Sequence, residues 1–396
     1  MSTLTLLVGA LALAGASNTT SDDAVSIDDS AAVNTNFNLV LPVDVTLNVF
    51  GRIQMDGLWG SGKSPFDTLD QVGFRRARVG VKGKAGIFDY KAEYDFAGGD
   101  VDFADVYIEW RNSPLGSLKV GNFKEPMGLE QLSSSRFTTF NERSLASNLV
   151  PARNVGAMFA DNTDTMAWQY GVFGSSTDST GSGIVDGMYA VTGRVTTTVV
   201  SDEDCLLHLG ASLSNRSQDM VRYSARPEVP FVDMPIDSRG SGGNDIDNDG
   251  VVLYGVEAAW VGGPLSVQGE YSAVDISDAN GGDDANFSGY YIETSYYLTG
   301  ETRNYHQPTG SFKRPAVNED FDGEGGMGAV QLAARYSMLD LDDGPSTGEL
   351  GDITLGVNWW LNNHTRVSAN YVASDYDDGG PSVDADYLVL RFQVDF

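Results

Sequence analysis

The chain has 396 residues, with 25 Lys and Arg against 55 Asp and Glu, so its formal net charge at pH 7 is −30. This charge excludes nucleic acid as an expected partner, because no basic excess exists to displace counterions from phosphate. A single cysteine, Cys205, excludes an intramolecular disulfide, and no Cys/His ligand spacing for a structural zinc site surrounds it.

The chain begins with an apolar run, residues 4–16, which ends in the small residues Ala14-Gly15-Ala16. Such a run is typical of a secretory signal peptide, so we predict that residues 1–16 direct export, although no Lys or Arg follows Met1. Residues 17–45 are rich in Ser, Asp, Asn and Thr and are expected to form a flexible polar segment. Elsewhere no apolar run of about 18 residues predicts a transmembrane helix.

From residue 46 onwards, apolar and polar side chains alternate in segments separated by Gly, Asp, Asn and Pro. In the last segment Leu388, Leu390 and Phe392 share one face, and Arg391 and Gln393 share the other. This alternation predicts strands with one apolar and one polar face. Sixteen such strands are predicted near residues 46–58, 72–84, 88–96, 101–112, 116–125, 153–160, 166–174, 187–200, 205–216, 251–261, 265–276, 286–298, 328–341, 351–361, 364–374 and 384–396.

The number and spacing of these strands favour a closed barrel in a membrane. Sixteen is even, and connections are mostly short after even-numbered strands and mostly longer after odd-numbered ones; the long connection over residues 299–327 is the exception after an even strand. A soluble sandwich also alternates, but rows of Ser, Gln, Glu, Arg and Asn suit a wet lumen better than a dry core. We therefore predict an all-β fold, a 16-stranded antiparallel transmembrane β-barrel over residues 46–396.

Several segments then carry a family resemblance. They are Gly51-Arg52-Ile53-Gln54, Phe74-Arg75-Arg76-Ala77-Arg78, residues 90–96, 120–130, 133–136, 141–143, 298–303 and 335–337, and Gly356-Val357-Asn358-Trp359-Trp360-Leu361-Asn362. In order and spacing they resemble the phosphate-selective porin O and P family, from residue 49 to the end of the chain. The resemblance implies a trimeric porin in outer-membrane lipid of a bacterium, which passes phosphate or other small solutes by diffusion.

The resemblance also implies where the pore narrows. The loops at residues 126–152 and 217–250 and the insert at 299–327 are expected to fold into the lumen as constriction loops. The candidate anion-binding residues are Arg75, Arg76, Arg78, Ser134, Arg136, Arg143, Arg303, Lys313 and Arg314. Strand parity places Arg76 and Arg78 on the polar face, whereas Arg75 falls on the apolar face and requires a β-bulge or a place near a strand end.

Two lysines of the family's pattern are replaced here, by Gln131 and Asp89. A phosphate site needs several cationic or N–H donors that converge on one anion, so their loss weakens it. Two interpretations therefore remain, a weakly selective general porin and a channel selective for phosphate or polyphosphate. The net charge of −30 does not decide between them, because screening over about 8–10 Å hides distant loop carboxylates from the constriction.

The segment Asp245, Asp247, Asp249, Gly250 has the spacing of a calcium loop. An EF-hand would have Glu where Val256 stands, so the alternatives are one Ca²⁺ held by the three aspartates and a solvated acidic turn. No other cofactor is expected.

Other classes of function are less favoured by the sequence. The three histidines lie in separate segments without a nucleophile–base motif, so no enzyme is predicted. The alternative function is a surface-exposed structural or adhesive barrel, which would use its acidic loops and would not need an arginine-rich constriction.

Overall fold

The computed structural model describes residues 38–41, 45–64, 66, 70–113, 115–174, 188–201, 205–239 and 243–396. The predicted signal peptide and most of the predicted flexible segment lie outside the described residues, so both stay predictions. The short strand Asn38–Leu41, at the end of that segment, pairs antiparallel with Val45–Asn48.

Sixteen long strands of the described chain form one antiparallel sheet. They are β1 (Val45–Gly62), β2 (Asp70–Ala85), β3 (Phe88–Asp95), β4 (Asp102–Ser113), β5 (Gly116–Lys124), β6 (Arg153–Asn162), β7 (Met166–Phe173), β8 (Tyr189–Ser201), β9 (Cys205–Ser217), β10 (Gly250–Gly262), β11 (Leu265–Ser277), β12 (Ala285–Tyr297), β13 (Ala329–Asp340), β14 (Glu349–Trp360), β15 (Thr365–Asp377) and β16 (Val383–Asp395). Each strand pairs with the next, and β16 pairs with β1 from Arg52 opposite Asp395 to Gly62 opposite Ala385. The sheet is therefore closed, which confirms the predicted barrel.

Helical structure is sparse among the described residues. A one-turn helix α1 (Leu129–Leu132) follows β5, and short 3₁₀ turns occur at Leu145–Asn148, Ala279–Gly281 and Gln307–Thr309. In this part of the chain, no helix has both the length and the hydropathy to cross a bilayer.

The wall of the barrel is apolar on the outside and polar on the inside. On β16, Leu388, Leu390 and Phe392 are 42–43% exposed, whereas Arg391 and Gln393 are 2% and 1% exposed. On β11, Ser266, Gln268 and Ser272 are likewise buried inside. A soluble sandwich would bury the apolar face, and such an apolar belt in water would be unfavourable. The outer face therefore requires hydrocarbon around it.

Three connections fold into the lumen, as the family resemblance implies. We call residues 125–152 the constriction loop, 218–239 with 243–249 the outer loop, and 298–328 the insert. The constriction loop and the outer loop share one apolar cluster with the inner ends of the wall strands, which includes Met127, Leu145, Val229, Ile236 and Leu339. The insert carries a small hairpin, Tyr305–His306 with Ser311–Phe312, and Arg194 of β8 donates hydrogen bonds to its Thr309 and Gly310 carbonyls. A cavity remains beside these connections.

Candidate functional site

The helix α1 lies near the start of the constriction loop. A carboxylate holds its N-terminal end, and two cations hold its C-terminal end. At the N-terminal end, the Leu129 and Glu130 amides donate to the Glu270 carboxylate on β11, both at 2.7 Å. At the C-terminal end, the Lys124 ammonium and the Arg143 guanidinium donate to carbonyl groups of the loop. Free N–H groups at a helix N-terminus are stabilised by a carboxylate, and free carbonyl groups at its C-terminus are stabilised by cations. The free backbone groups at both ends of α1 therefore have hydrogen-bond partners.

The middle of the constriction loop is clamped to the opposite wall. Arg366 of β15 donates to the Thr138 and Thr139 carbonyls at 2.8 Å each, and Asn358 of β14 donates to the Thr139 carbonyl at 2.8 Å. The Asn141 amide donates to Asn370 Oδ1 at 2.7 Å. Most of these hydrogen-bond partners are buried, so the hydrogen bonds hold the loop against β14 and β15. A space remains between the loop and the wall formed by β1 to β6.

This space is a cavity of about 280 Å³ between the constriction loop and the β1–β6 wall. Nine cationic side chains of the described chain line it, against two carboxylates. The cations are Arg52, Arg76, Arg78, Lys91, Lys119, Lys124, Arg136, Arg143 and Arg153, and the carboxylates are Glu93 and Asp105. Such a one-sided arrangement in a narrow channel with low-dielectric walls concentrates small anions.

Three of these cations, Arg76, Lys124 and Arg143, have no carboxylate within 4 Å in the described part of the chain. Arg76 Nη1 donates to Gln54 Oε1 at 2.9 Å. Lys124 Nζ donates to the Gln131 and Ser133 carbonyls at 2.5 and 3.1 Å. Arg143 donates to the Glu130 and Ser133 carbonyls at 3.0 and 2.9 Å. No ion pair within 4 Å among the described residues neutralises these three side chains, so they can attract an anion in this cavity.

The structure brings most of the residues predicted from the sequence into one place. Arg76, Arg78, Ser134, Arg136 and Arg143 all line the cavity. The cavity also contains five cations that we did not predict, namely Arg52, Lys91, Lys119, Lys124 and Arg153. Strand parity would have found Arg52, since it lies two residues before the inward-facing Gln54, but the other four converge only when β3, β5 and β6 are placed side by side.

Arg75 lies elsewhere. Gln54 of β1 faces Arg76 and Met55 faces Phe74, so Arg75 is the extra residue of a β-bulge, as its parity requires. The bulge turns its guanidinium to the Glu142 carboxylate of the constriction loop, with two hydrogen bonds of 2.8 Å. Arg75 does not line the cavity and its charge is paired.

The predicted cations of the insert also lie outside the cavity. The Arg303 guanidinium stacks over the Phe312 ring at 3.7 Å and lies 3.6 Å from Glu293. Arg314 pairs with Asp395, whose carboxylate is also 3.4 Å from Arg136, and Lys313 is exposed. In contrast, the Thr309 and Ser311 side chains of the insert do line the cavity.

The two positions where lysines were expected, and the aspartate segment, have simple local structures. Gln131 is buried in α1, and its carbonyl accepts the hydrogen bond from Lys124, while Asp89 pairs with Arg111. Asp247 belongs to the short strand Ile246–Asp247, and its amide donates to Asn280. Across the described residues, no group of three or more His, Cys, Asp or Glu is arranged to hold a metal ion. Calcium at Asp245, Asp247 and Asp249 stays a prediction.

Glu142 connects the constriction loop to the wall, because its carboxylate bonds both Arg75 of β2 and Arg391 of β16. Burial alone would raise the pKa of Glu142, but the nearby guanidiniums of Arg75, Arg76 and Arg391 outweigh it and hold this pKa well below 4.5. A carboxylate with a lowered folded-state pKa stabilises the fold fully above its unfolded pKa and loses that effect only as pH falls through the folded value.

We therefore expect the contacts of Glu142 with Arg75 and Arg391 to persist as the pH is lowered from 7 to 4.5. The variant Glu142→Gln lacks the charge, so its single-channel current should be noisier than that of the unmodified protein. This difference in noise should be the same at pH 7 and at pH 4.5. A difference that disappeared between pH 6 and 5 would contradict this role of Glu142.

Comparison with known proteins identifies the family. A sequence model of the family described as "Phosphate-selective porin O and P" matches residues 49–396. The chain belongs to this family. An uncharacterised protein of Caulobacter vibrioides is 30% identical over 388 residues, covering 89% of this chain and 74% of that protein. Porin O of Pseudomonas aeruginosa is 28% identical, covering 100% of this chain and 98% of that protein.

Solved structures show the same fold at low sequence identity. An anion-selective porin from Comamonas acidovorans is 12% identical with a TM-score of 0.56, covering 89% of this chain and 100% of that one. The trimer form of OmpT from Vibrio cholerae is 12% identical with a TM-score of 0.55, covering 89% and 99%. With the family match, this fold makes the protein a porin of the bacterial outer membrane. Family and fold indicate a channel rather than an enzyme, and they do not favour the adhesive alternative.

Proposed function

We propose that the protein is a passive channel that prefers small anions, phosphate among them. The observation that carries this proposal is the cavity at the constriction, where nine cations face two carboxylates. The description of the family as phosphate-selective and that of the Comamonas acidovorans porin as anion-selective both agree with this preference. We also propose that the porin assembles as a homotrimer in outer-membrane lipid, which the trimer form of OmpT supports.

The arrangement suggests how an anion passes. The net charge of −30 belongs largely to distant carboxylates that salt screens over about 8–10 Å, so the cavity itself attracts anions. There an anion exchanges part of its water for N–H groups of Arg76, Lys124 and Arg143. Glu93 and Asp105 pair with neighbouring cations and keep the binding weak enough for release, which a conducting site requires.

The test of this proposal is the double variant Arg76→Ala, Arg143→Ala. It removes two of the three cations without a carboxylate partner, so its reversal potential in a salt gradient should move from anion preference towards zero. One unit charge about 10 Å away is worth roughly tenfold in local anion concentration at an effective dielectric constant of about 20. The measurement uses the refolded protein in a planar bilayer.

A matched double variant controls for loss of two positive charges in general. Arg111 and Arg222 are more exposed and pair with Asp89 and Asp237 away from the cavity. Arg111→Ala with Arg222→Ala should leave the reversal potential where it was. If the Arg76 and Arg143 variant also left it unchanged, the cavity would not be the selectivity filter and the general-porin interpretation would stand.

A further inference from the structure

Part of the lumen wall beside the cationic cavity is apolar, although other lumen-facing strand residues, such as Ser266, Gln268 and Ser272, are polar. Tyr107 of β4, Phe123 of β5 and Met158 of β6 all line the cavity. The Tyr107 and Phe123 rings lie 6.2 Å apart in an edge contact, and Phe123 and Met158 belong to one buried apolar cluster. Three adjacent strands thus present one apolar surface at the edge of the cationic cavity.

A glycine in the backbone of β5 leaves room for Tyr107 in this surface. Gly121 of β5 stands directly opposite Tyr107, and it has φ of 140°. A Cβ atom at Gly121 would lie 2.6 Å from Tyr107 Cα and 2.9 Å from its Cβ, so a side chain there would displace Tyr107. Positive φ and a close approach are both conditions that favour glycine.

Positive charge lies directly on this apolar surface. The Lys119 ammonium is 4.6 Å from the centre of the Tyr107 ring and 5.5 Å from that of Phe123, within the range of cation–π attraction. The unpaired Lys124 and Arg143 line the same cavity, with the half-buried Leu132 of α1 beside them. A small inorganic anion has no apolar group to place against these side chains.

We propose that the cavity takes organic anions that carry a small apolar or aromatic group. The anionic group binds among Arg76, Lys124 and Arg143, and the apolar group packs against the half-buried Tyr107 ring, beside the buried Phe123 and Met158. Binding of the apolar group removes its surface from water, which is favourable in proportion to the area buried. The inference rests on the proposed anion channel and names the class of solute that it discriminates.

The test compares phenyl phosphate with methyl phosphate, two esters of the same charge, as blockers of chloride current in planar bilayers. Phenyl phosphate should block at a concentration about tenfold lower, from burial of about half of the phenyl surface. In Tyr107→Ser this ratio should fall towards one, while Tyr107→Phe, which keeps the ring, should retain it. Leu132→Ser provides a second variant on the constriction loop and should lower the ratio less.

Inorganic phosphate is titrated in the same membranes and separates two kinds of failure. Equal block by the two esters, with anion preference and phosphate block intact, would overturn this inference alone. If the unmodified protein showed no anion preference, both the proposed function and this inference would be overturned. A ratio that stays near ten in Tyr107→Ser would show that the apolar surface does not bind the phenyl group, and the inference would again be wrong.

Discussion

Replacing Arg335 with leucine should detach the constriction loop and lower the free energy of unfolding of the barrel by about 3–5 kcal/mol. This guanidinium, fully buried on β13, donates to Glu130 Oε1 at 2.9 Å and to the Glu142 carbonyl at 2.9 Å. It also donates to Glu228 of the outer loop at 2.9 Å. One side chain therefore connects both inward-folded loops to the wall.

The effect is large because the variant leaves two buried carboxylates without their guanidinium partner. Without Arg335, Glu228 and Glu130 keep their buried carboxylates but lose their guanidinium partner, and an uncompensated buried charge is more costly than a lost hydrogen bond. Burial already raises the pKa of Glu228 above 4.5 despite the partner. We expect unfolding in detergent at a lower temperature and larger single-channel noise.

Two further variants distinguish the effect of an unpaired buried charge from the effect of lost hydrogen bonds. Arg366→Leu removes hydrogen bonds to the same loop at Thr138 and Thr139 but orphans no carboxylate, so it should destabilise less. Adding Glu228→Gln to Arg335→Leu should restore part of the lost stability, because it removes one unpaired charge. If Arg335→Leu melted and conducted like the unmodified protein, the three contacts would carry no net stabilisation.

The barrel could be predicted from the sequence because each strand is specified locally. Period-two alternation fixes the two faces of a strand, and turn residues fix its ends, so all sixteen strands were found within a few residues of their observed bounds. Long inward loops could be predicted only through the family resemblance. Their anchors, such as Glu270 under α1, join residues 140 or more positions apart, and no local pattern reports such a contact.

The site was predicted in part for the same reason. Arg76 and Arg143 follow from the resemblance, and the bulge at Arg75 follows from parity. Glu142 neutralises Arg75 because the constriction loop folds back onto β2, and the sequence does not show the position of that loop. Lys91 and Arg153 belong to strands far apart in the chain and meet only through their shared partner Asp105.

Replacing Asp105 with asparagine should make the channel hold anions too tightly. Asp105 Oδ2 lies 2.6 Å from Lys91 Nζ, and Oδ1 lies 2.6 Å from Arg153 Nε. Asparagine keeps the shape but removes the charge, so Arg153 loses its carboxylate partner and Lys91 keeps only Glu93, at 3.1 Å. At about 10 Å and an effective dielectric constant of about 20, one charge is worth about 1.7 kcal/mol, or at least tenfold in binding.

The half-blocking concentration of phosphate against chloride current should therefore fall about tenfold in Asp105→Asn at low salt, and less at 1 M salt, where screening is stronger. Slower release should also lower the maximal phosphate current, because a permeant ion must leave as readily as it enters. Asp89→Asn is the matched control, since Asp89 pairs with Arg111 outside the cavity and its loss should not change the block. An unchanged half-blocking concentration in Asp105→Asn would mean that the anion does not reach Lys91 and Arg153. The permeation path would then pass Arg76, Lys124 and Arg143 without them.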